Sequence, residues 1–284
     1  MEVFNHDGLE IRYRLEESTT PNAPILVCFH GFGGGPQDYQ DLVPFLKSQF
    51  RVALPNLKVF FSSQVPSPFS RHVEILGHWL THIREKFKTE HFVFLGQSYG
   101  ATLSIALRFR FQLNIQFHAV LNPMPFSPFE FVRNHHLRMF MNFGFDSGDI
   151  GLFLKTTNGR RSLTEAAKIF RIGSQKTVND VLHLNDRALI LVEKAIDRFR
   201  WIDKHENWET WTDLIKSSQA PGPDLFLYSS RDPLFRSEDS VTYARDIRAR
   251  ILSPIPHHGH LMVQDMGVQL FNDGRLFLSK NQIS

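Results

Sequence analysis

The sequence predicts an α/β protein: a parallel sheet with helices on both faces, interrupted late in the chain by a helical insert. Three observations carry this. Short apolar runs of strand length alternate with helical stretches, the pattern of successive βαβ units. One run, Phe92-Val93-Phe94-Leu95, leads into Gly96-Gln97-Ser98-Tyr99-Gly100 and then into a small-residue, helix-like stretch at 101–107. From about residue 125 to 220 the strand rhythm stops and only helical segments are found.

Taken in order, residues 10–15 alternate and read as an edge strand, and Pro21 and Pro24 bound a turn. Ile25-Leu26-Val27-Cys28-Phe29 is a continuous apolar run ending at His30-Gly31, as expected of a buried parallel strand. Residues 38–50 read as a helix, and 50–54 as a strand stopped by Pro55. Residues 69–87 form a long amphipathic pattern with Val73, Leu76, Leu80 and Ile83 on one face. The strand at 92–95 delivers Ser98, and the next, at 115–121, is stopped by Pro123. Helical segments at 129–143, 163–172, 178–199 and 208–217 follow, then strands at 224–228 and 250–255 and a last helix at 261–278. The expected organisation is a core of residues 1–124, a helical cap or lid of 125–220, and a resumed core of 221–284. No internal repeat, low-complexity tract or Pro/Gly-rich linker stands out.

A chain of 284 residues fits one large domain, or one domain with an insertion. Its 42% hydrophobic and 21% charged residues are ordinary for a globular protein. The net charge of +3 is dispersed, so the pI near 9.0 is a poor argument for nucleic-acid binding. A single cysteine, Cys28, excludes an internal disulfide framework and fits a reducing compartment. Residues 1–7 lack the basic and apolar regions of a signal peptide, and no apolar stretch approaches the roughly 20 residues of a membrane span. The expectation is a cytoplasmic protein without integral membrane association. The 27 phenylalanines read first as aromatic core packing.

The chemistry centres on Ser98. A turn between strand and helix this sharp drives its central residue toward positive φ, and the flanking glycines leave room for close backbone passage. The hydroxyl is thereby presented beside a helix N-terminus. Serine becomes a useful nucleophile when an imidazole, oriented by a carboxylate, takes its proton. In parallel sheets such groups stand at the carboxyl ends of strands. The carboxylate candidate is Asp232, in Ser229-Ser230-Arg231-Asp232-Pro233 after the 224–228 strand; the previous strand ends Leu121-Asn122-Pro123-Met124 and offers no acid before Glu130. An Asp before Pro is also a common turn starter, which is the competing role. The base candidate is His260, in Pro256-His257-His258-Gly259-His260-Leu261, with His258 the alternative. These histidines with Asp265 match no defensible zinc spacing, and His135 and His136 read as cap-helix positions. No metal site is expected.

An oxyanion site needs two backbone N–H groups aimed at the developing charge. The expected donors are Tyr99, directly after the serine, and Phe32, in His30-Gly31-Phe32-Gly33-Gly34-Gly35. A phosphate-cradling loop is the rival reading of that glycine run, but no Gly-Lys-Ser/Thr follows.

With His30-Gly31-Phe32-Gly33-Gly34, Gly96-Gln97-Ser98-Tyr99-Gly100, the Asp232 loop and Gly259-His260 in that order, the chain resembles the α/β-hydrolase superfamily, of the kind with a helical cap after the sixth strand. The resemblance covers nearly the whole length. It implies a mostly parallel eight-stranded sheet, a cofactor-free Ser-His-Asp mechanism, and a cap that shapes the substrate pocket. One stretch departs from it. Many relatives carry Asp-x-x-Gly-x-Gly-x-Ser after the fourth strand, where this chain has the bulkier Pro55-Asn56-Leu57-Lys58-Val59-Phe60-Phe61-Ser62-Ser63. The serine argues against the branches that use an aspartate nucleophile.

The expected activity is hydrolysis of a small-molecule ester or thioester through an acyl-enzyme. His30, Gly31, Phe126 and Phe129 are candidate pocket residues, and the Phe/Met-rich segments 125–131 and 139–143 line a pocket or pack the cap. Two rivals share the fold: a C–C bond hydrolase, for which Arg160, Arg161 and Arg187 are nominal pocket cations, and a non-enzymatic ligand binder.

Overall fold

The computed structural model describes residues 1–62, 66–89, 91–111, 113–126, 198, 201–232, 234–256 and 258–277. The chain opens with a hairpin, β1 (Glu2–His6) and β2 (Leu9–Glu16), paired antiparallel. Asp7 and Gly8 at its tip have φ of 46° and 75°, the double left-handed turn that suits the twist of a two-residue hairpin. The sheet margin is therefore β1. The segment read from sequence as an edge strand lies one place inside, because β2 also pairs antiparallel with β4 (Arg51–Pro55). Its alternation reflects one packed face, with Ile11 and Tyr13 buried and Arg12 and Arg14 exposed.

The remaining strands are β3 (Ile25–Phe29), β5 (Phe92–Gln97), β6 (Ile115–Leu121), β7 (Leu225–Ser229) and β8 (Ile251–Ile255). They form one eight-stranded sheet in the order β1-β2-β4-β3-β5-β6-β7-β8, parallel from β4 onward. The chain steps from β3 to β4 on one side and returns to β5 on the other. The loops after β3 and β5 thus part at a topological switch point, where such sheets open a crevice. β6 and β7 are neighbours although residues 122–224 lie between them in sequence.

Helices cover both faces. On one face α1 (Val43–Leu46) and α7 (Met262–Asn272) pack with Leu26, Leu54, Leu95 and Leu121. On the other, α3 (Phe69–Phe87), α4 (Tyr99–Phe111), α5 (Trp208–Ser217) and α6 (Ser237–Asp246) bury a core rich in aromatics, including Phe29, Phe69, Trp79, Phe94 and Phe226. A further turn, α2 (Val59–Ser62), follows β4. The helix expected at 38–50 is broken into a 3-10 turn at Pro36–Tyr39 and α1. Pro44 accounts for the break, since proline lacks the N–H an interior helical position donates and fits only the first turn. α6 leaves little trace in the sequence. That helix buries only Tyr243 and Ala244, so its apolar face is too narrow to show as a period, although Glu238 and Asp239 in its first turn favour a helix start there. The helices expected at 129–143, 163–172 and 178–199 fall on segments outside the described residues but for residue 198.

The far margin of the sheet, β8, carries Pro254, and the exposed Arg275 donates to Ser253 Oγ and to the Pro254 carbonyl, both at 3.4 Å. Among the described residues, no helix is long and apolar enough to cross a membrane.

Candidate active site

Ser98 sits between β5 and α4 with φ of 53°, in the left-handed region that L residues adopt at a cost of about 1 kcal/mol or more. Two glycines make this turn sterically possible. A β-carbon at Gly100 would stand 2.3 Å from the Phe29 carbonyl oxygen, and one at Gly96 would stand 2.5 Å from Ala101 Cα. The turn is anchored by its backbone: Ser98 N–H donates to the Leu121 carbonyl at 2.9 Å, and Ser98 C=O accepts from Thr102 N–H at 3.1 Å.

The structure brings three of the sequence candidates together. His260 Nε2 lies 2.7 Å from Ser98 Oγ, and His260 Nδ1 lies 2.7 Å from Asp232 Oδ2. The other carboxylate oxygen, Oδ1, accepts from the N–H groups of Leu234 at 2.8 Å and Phe235 at 3.4 Å. Asp232 thus does both things its sequence context suggested: it starts a turn and faces an imidazole. The side chains of His260 and Asp232 are 3% and 2% exposed, so their hydrogen bond is shielded from water. With a proton on Nδ1 held toward the carboxylate, Nε2 is left to accept from the serine hydroxyl. Among the described residues, the imidazole hydrogen-bonded to Ser98 is that of His260. His258 stands two residues back, half-buried, with its carbonyl accepting from the Ser229 hydroxyl.

The β3 loop lies against the serine. A β-carbon at Gly31 would fall 3.3 Å from Ser98 Cβ, so glycine here leaves the space beside the hydroxyl open. Gly33 takes φ of 72° and Gly34 N–H closes a turn onto the Gly31 carbonyl at 3.1 Å. Phe32, inside this turn, is half-buried, and its ring meets Phe61 edge-on at 4.5 Å. Phe61 in turn meets Tyr99 at 5.0 Å. The two residues expected to offer oxyanion N–H groups are therefore joined through one phenyl ring from the unusual 55–63 stretch. Tyr99 is fully buried, and its hydroxyl shares a 2.6 Å hydrogen bond with His72 Nδ1.

His30 is 1% exposed, and both ring nitrogens are engaged by backbone: Nε2 accepts from Leu57 N–H at 2.8 Å and Nδ1 donates to the Gly31 carbonyl at 2.8 Å. It ties the loops after β3 and β4 together, and burial pushes its pKa down to about 4. Phe126 packs with Phe69, Trp208, Trp211 and Tyr243. It lines a cleft of about 200 Å³ between α5 and α6, with Ile215 and Ile247, that none of Ser98, Asp232 and His260 lines. Phe129, His135, His136, Arg160, Arg161 and Arg187 lie outside the described residues. Among the described residues, no group of three or more His, Cys, Asp or Glu gathers as a metal site.

Supporting residues also stand around the site. Gln97 is 1% exposed; its Oε1 accepts from Val263 N–H at 2.7 Å and its Nε2 donates to Gln264 Oε1 at 3.0 Å, fixing the start of α7 just past His260. His72 sits within α3 with its second nitrogen 2.9 Å from Ser67 Oγ. A polar residue inside an otherwise apolar helix face was the available signal.

Known proteins place this architecture. The family model for the alpha/beta hydrolase fold matches residues 24–135. An alpha/beta hydrolase fold protein from Burkholderia ambifaria superposes with a TM-score of 0.69 at 16% identity, covering 96% of each chain. A thermophilic esterase from Thermogutta terrifontis gives 0.66 at 16% identity, covering 99% of this chain and 97% of its own. The chain is an α/β-hydrolase-fold protein. Among curated proteins it is similar to an uncharacterized hydrolase of Saccharomyces cerevisiae, 24% identical over 109 residues. That match spans 38% of this chain and 37% of the yeast protein's length. In α/β-hydrolase terms, Ser98 occupies the turn after the strand next to β3, with β4 beyond it, which is where this sheet opens its crevice.

Proposed function

We propose that the protein is a serine hydrolase that cleaves a carboxylic ester or thioester through an acyl-enzyme. The observation that carries the reading is the continuous relay from Ser98 Oγ to His260 Nε2 and from His260 Nδ1 to Asp232 Oδ2, each link 2.7 Å. Ser98 attacks the substrate carbonyl while His260 accepts its proton, and Asp232 holds the ring and stabilises the imidazolium. The N–H groups of Tyr99 and Phe32 receive the oxyanion. His260 then protonates the leaving alcohol or thiol. Water, deprotonated by the same ring, releases the acid and restores the serine. An ester substrate is favoured by the whole-length likeness to an esterase. Placement of β6 beside β7, with 122–224 between them, supports reading residues 125–220 as an insert that carries a cap, its last helix, α5, being packed on the face of the sheet. The same reading gives the protein a small acyl compound as its partner; the single, buried Cys28 fits a reducing compartment such as the cytoplasm.

Two measurements test it. A fluorophosphonate probe, which reacts only with an activated serine, is expected to label Ser98. Ser98→Ala is expected to abolish labelling and to lower p-nitrophenyl ester turnover by about 10⁴-fold or more with folding intact. Unchanged turnover in that variant, or an unlabelled wild type, rejects the reading.

A further inference from the structure

Three consecutive carbonyls on the segment that carries His260 are held by two side chains from neighbouring strand ends. Asn122, just past β6, donates through Nδ2 to the His260 carbonyl at 2.9 Å and the Gly259 carbonyl at 3.3 Å. Ser229, at the end of β7, donates its hydroxyl to the His258 carbonyl. The two are themselves joined, since Asn122 Oδ1 accepts from Ser229 N–H at 2.7 Å. Both are buried, Asn122 2% and Ser229 1% exposed. Residues 258–260 belong to neither β8 nor α7. Their carbonyls cannot rely on a sheet ladder: that of His260 also accepts from Met262 N–H at 3.2 Å, whereas those of Gly259 and His258 are met by the Asn122 and Ser229 side chains.

Leu121, the residue before Asn122, also touches the serine. Leu121 C=O accepts from Ser98 N–H at 2.9 Å, and the next residue's carboxamide holds the His260 backbone. We propose that Asn122 is a positioning residue that sets the distance between His260 and Ser98, by bracketing both residues from the end of β6. This inference rests on the acyl-transfer reading of those two residues.

The residue type follows from the geometry. Asn122 has φ of 42°, a left-handed conformation that asparagine tolerates better than most side chains. Glycine would fit the backbone but bring no amide. Aspartate would keep the acceptor for Ser229 N–H, but when ionised it has no proton to donate and would face two carbonyl oxygens. Reaction rates respond steeply to such changes: a misplacement of about 1 Å can cost about 100-fold.

The experiment measures Asn122→Gly and Asn122→Asp against wild type for thermal unfolding, for kcat and KM on a p-nitrophenyl ester, and for fluorophosphonate labelling rate. For Asn122→Gly, kcat and labelling rate are expected to fall about 10- to 100-fold with KM within about twofold. For Asn122→Asp, activity relative to wild type is expected to rise as the pH is lowered, because the protonated carboxyl regains one donor. A residue that merely braced the strands would lower the unfolding temperature without the kcat-specific loss or the pH-dependent recovery. If Asn122→Gly fails to fold, the pH-dependent ratio for Asn122→Asp decides. A wild type that is labelled while the variant that folds keeps kcat within twofold, or a flat Asp ratio, overturns the inference and leaves the hydrolase reading standing. A wild type that is never labelled overturns both.

Discussion

Lowering the pH from 7 to 5 is expected to weaken the fold by about 4 kcal/mol through His30 and His72, both buried in the neutral form, with the buried His118 adding to the loss. His30, His72 and His118 are each no more than 1% exposed. Burial is the main cause of each shift. It takes His30 down to about 4 and His72 to about 3, with the charges of Lys58 and Arg198 adding to the effect, and holds His118 well below its ordinary value beside Arg108. In the unfolded chain all three titrate near 6.5. Above that value both states are neutral and the rings contribute no pH dependence. Below it the unfolded chain takes up protons that the folded chain refuses, so stability falls with the pH down to the folded values. His30 and His72 then each cost about 1.4 kcal/mol per pH unit in that window, or about 2 kcal/mol between pH 7 and 5, and His118 acts in the same direction. Carboxylates held low in the fold, such as Glu2 and Glu16, begin at 4.5 and titrate below the window. Guanidinium chloride unfolding at the two pH values measures the difference directly. A change under about 1 kcal/mol would show that these rings are not buried neutral, and the reasoning fails.

Two further outcomes follow from the turn and the relay. Gly100→Ala puts a methyl group 2.3 Å from the Phe29 carbonyl oxygen, with backbone rather than a pliable side chain in the way; a loss of about 1–3 kcal/mol is expected by denaturant unfolding, and an unchanged midpoint counts against the packing described. Asp232→Asn keeps the shape but no longer fixes the Nδ1–H tautomer of His260; kcat on an activated ester is expected to drop about 10⁴-fold with KM nearly unchanged, and a loss under tenfold would remove Asp232 from its role.

Much of the sheet was legible because buried parallel strands are short, apolar and bounded by turn residues. Ile25–Phe29, Ile115–Leu121 and the long helix Phe69–Phe87 are found where the pattern placed them. β1 is too short and too exposed to show as such a run, although Asp7-Gly8 between two alternating stretches is a strong hairpin signal. Candidate site residues that announce a chemical type at a strand end, Ser98, Asp232 and His260, could be read. Residues that act through backbone contacts, such as Gln97 and Asn122, could not, and His30, a candidate pocket residue from sequence, proves to tie two loops. Their partners are Leu57, Val263 and the His260 carbonyl, and only the folded chain brings those together. Asn122 shows the difference well. From the sequence it was noted only because the end of β6 lacks an acid there; the structure fills that place with an amide that serves the histidine's own backbone.

The treatment of β8 decides how this molecule can meet copies of itself. A bare strand at a sheet border is a template on which a foreign strand can lay down a new ladder. Pro254 deletes one rung's donor from that border, and the Arg275 guanidinium already occupies the acceptor of the same residue. In five residues this leaves too little repeat for an incoming strand to register against. Strand addition is therefore disfavoured at that flank, although Leu252 of β8 is 38% exposed, and the opposite flank, where Val3 of β1 stands 48% exposed, lacks such a proline.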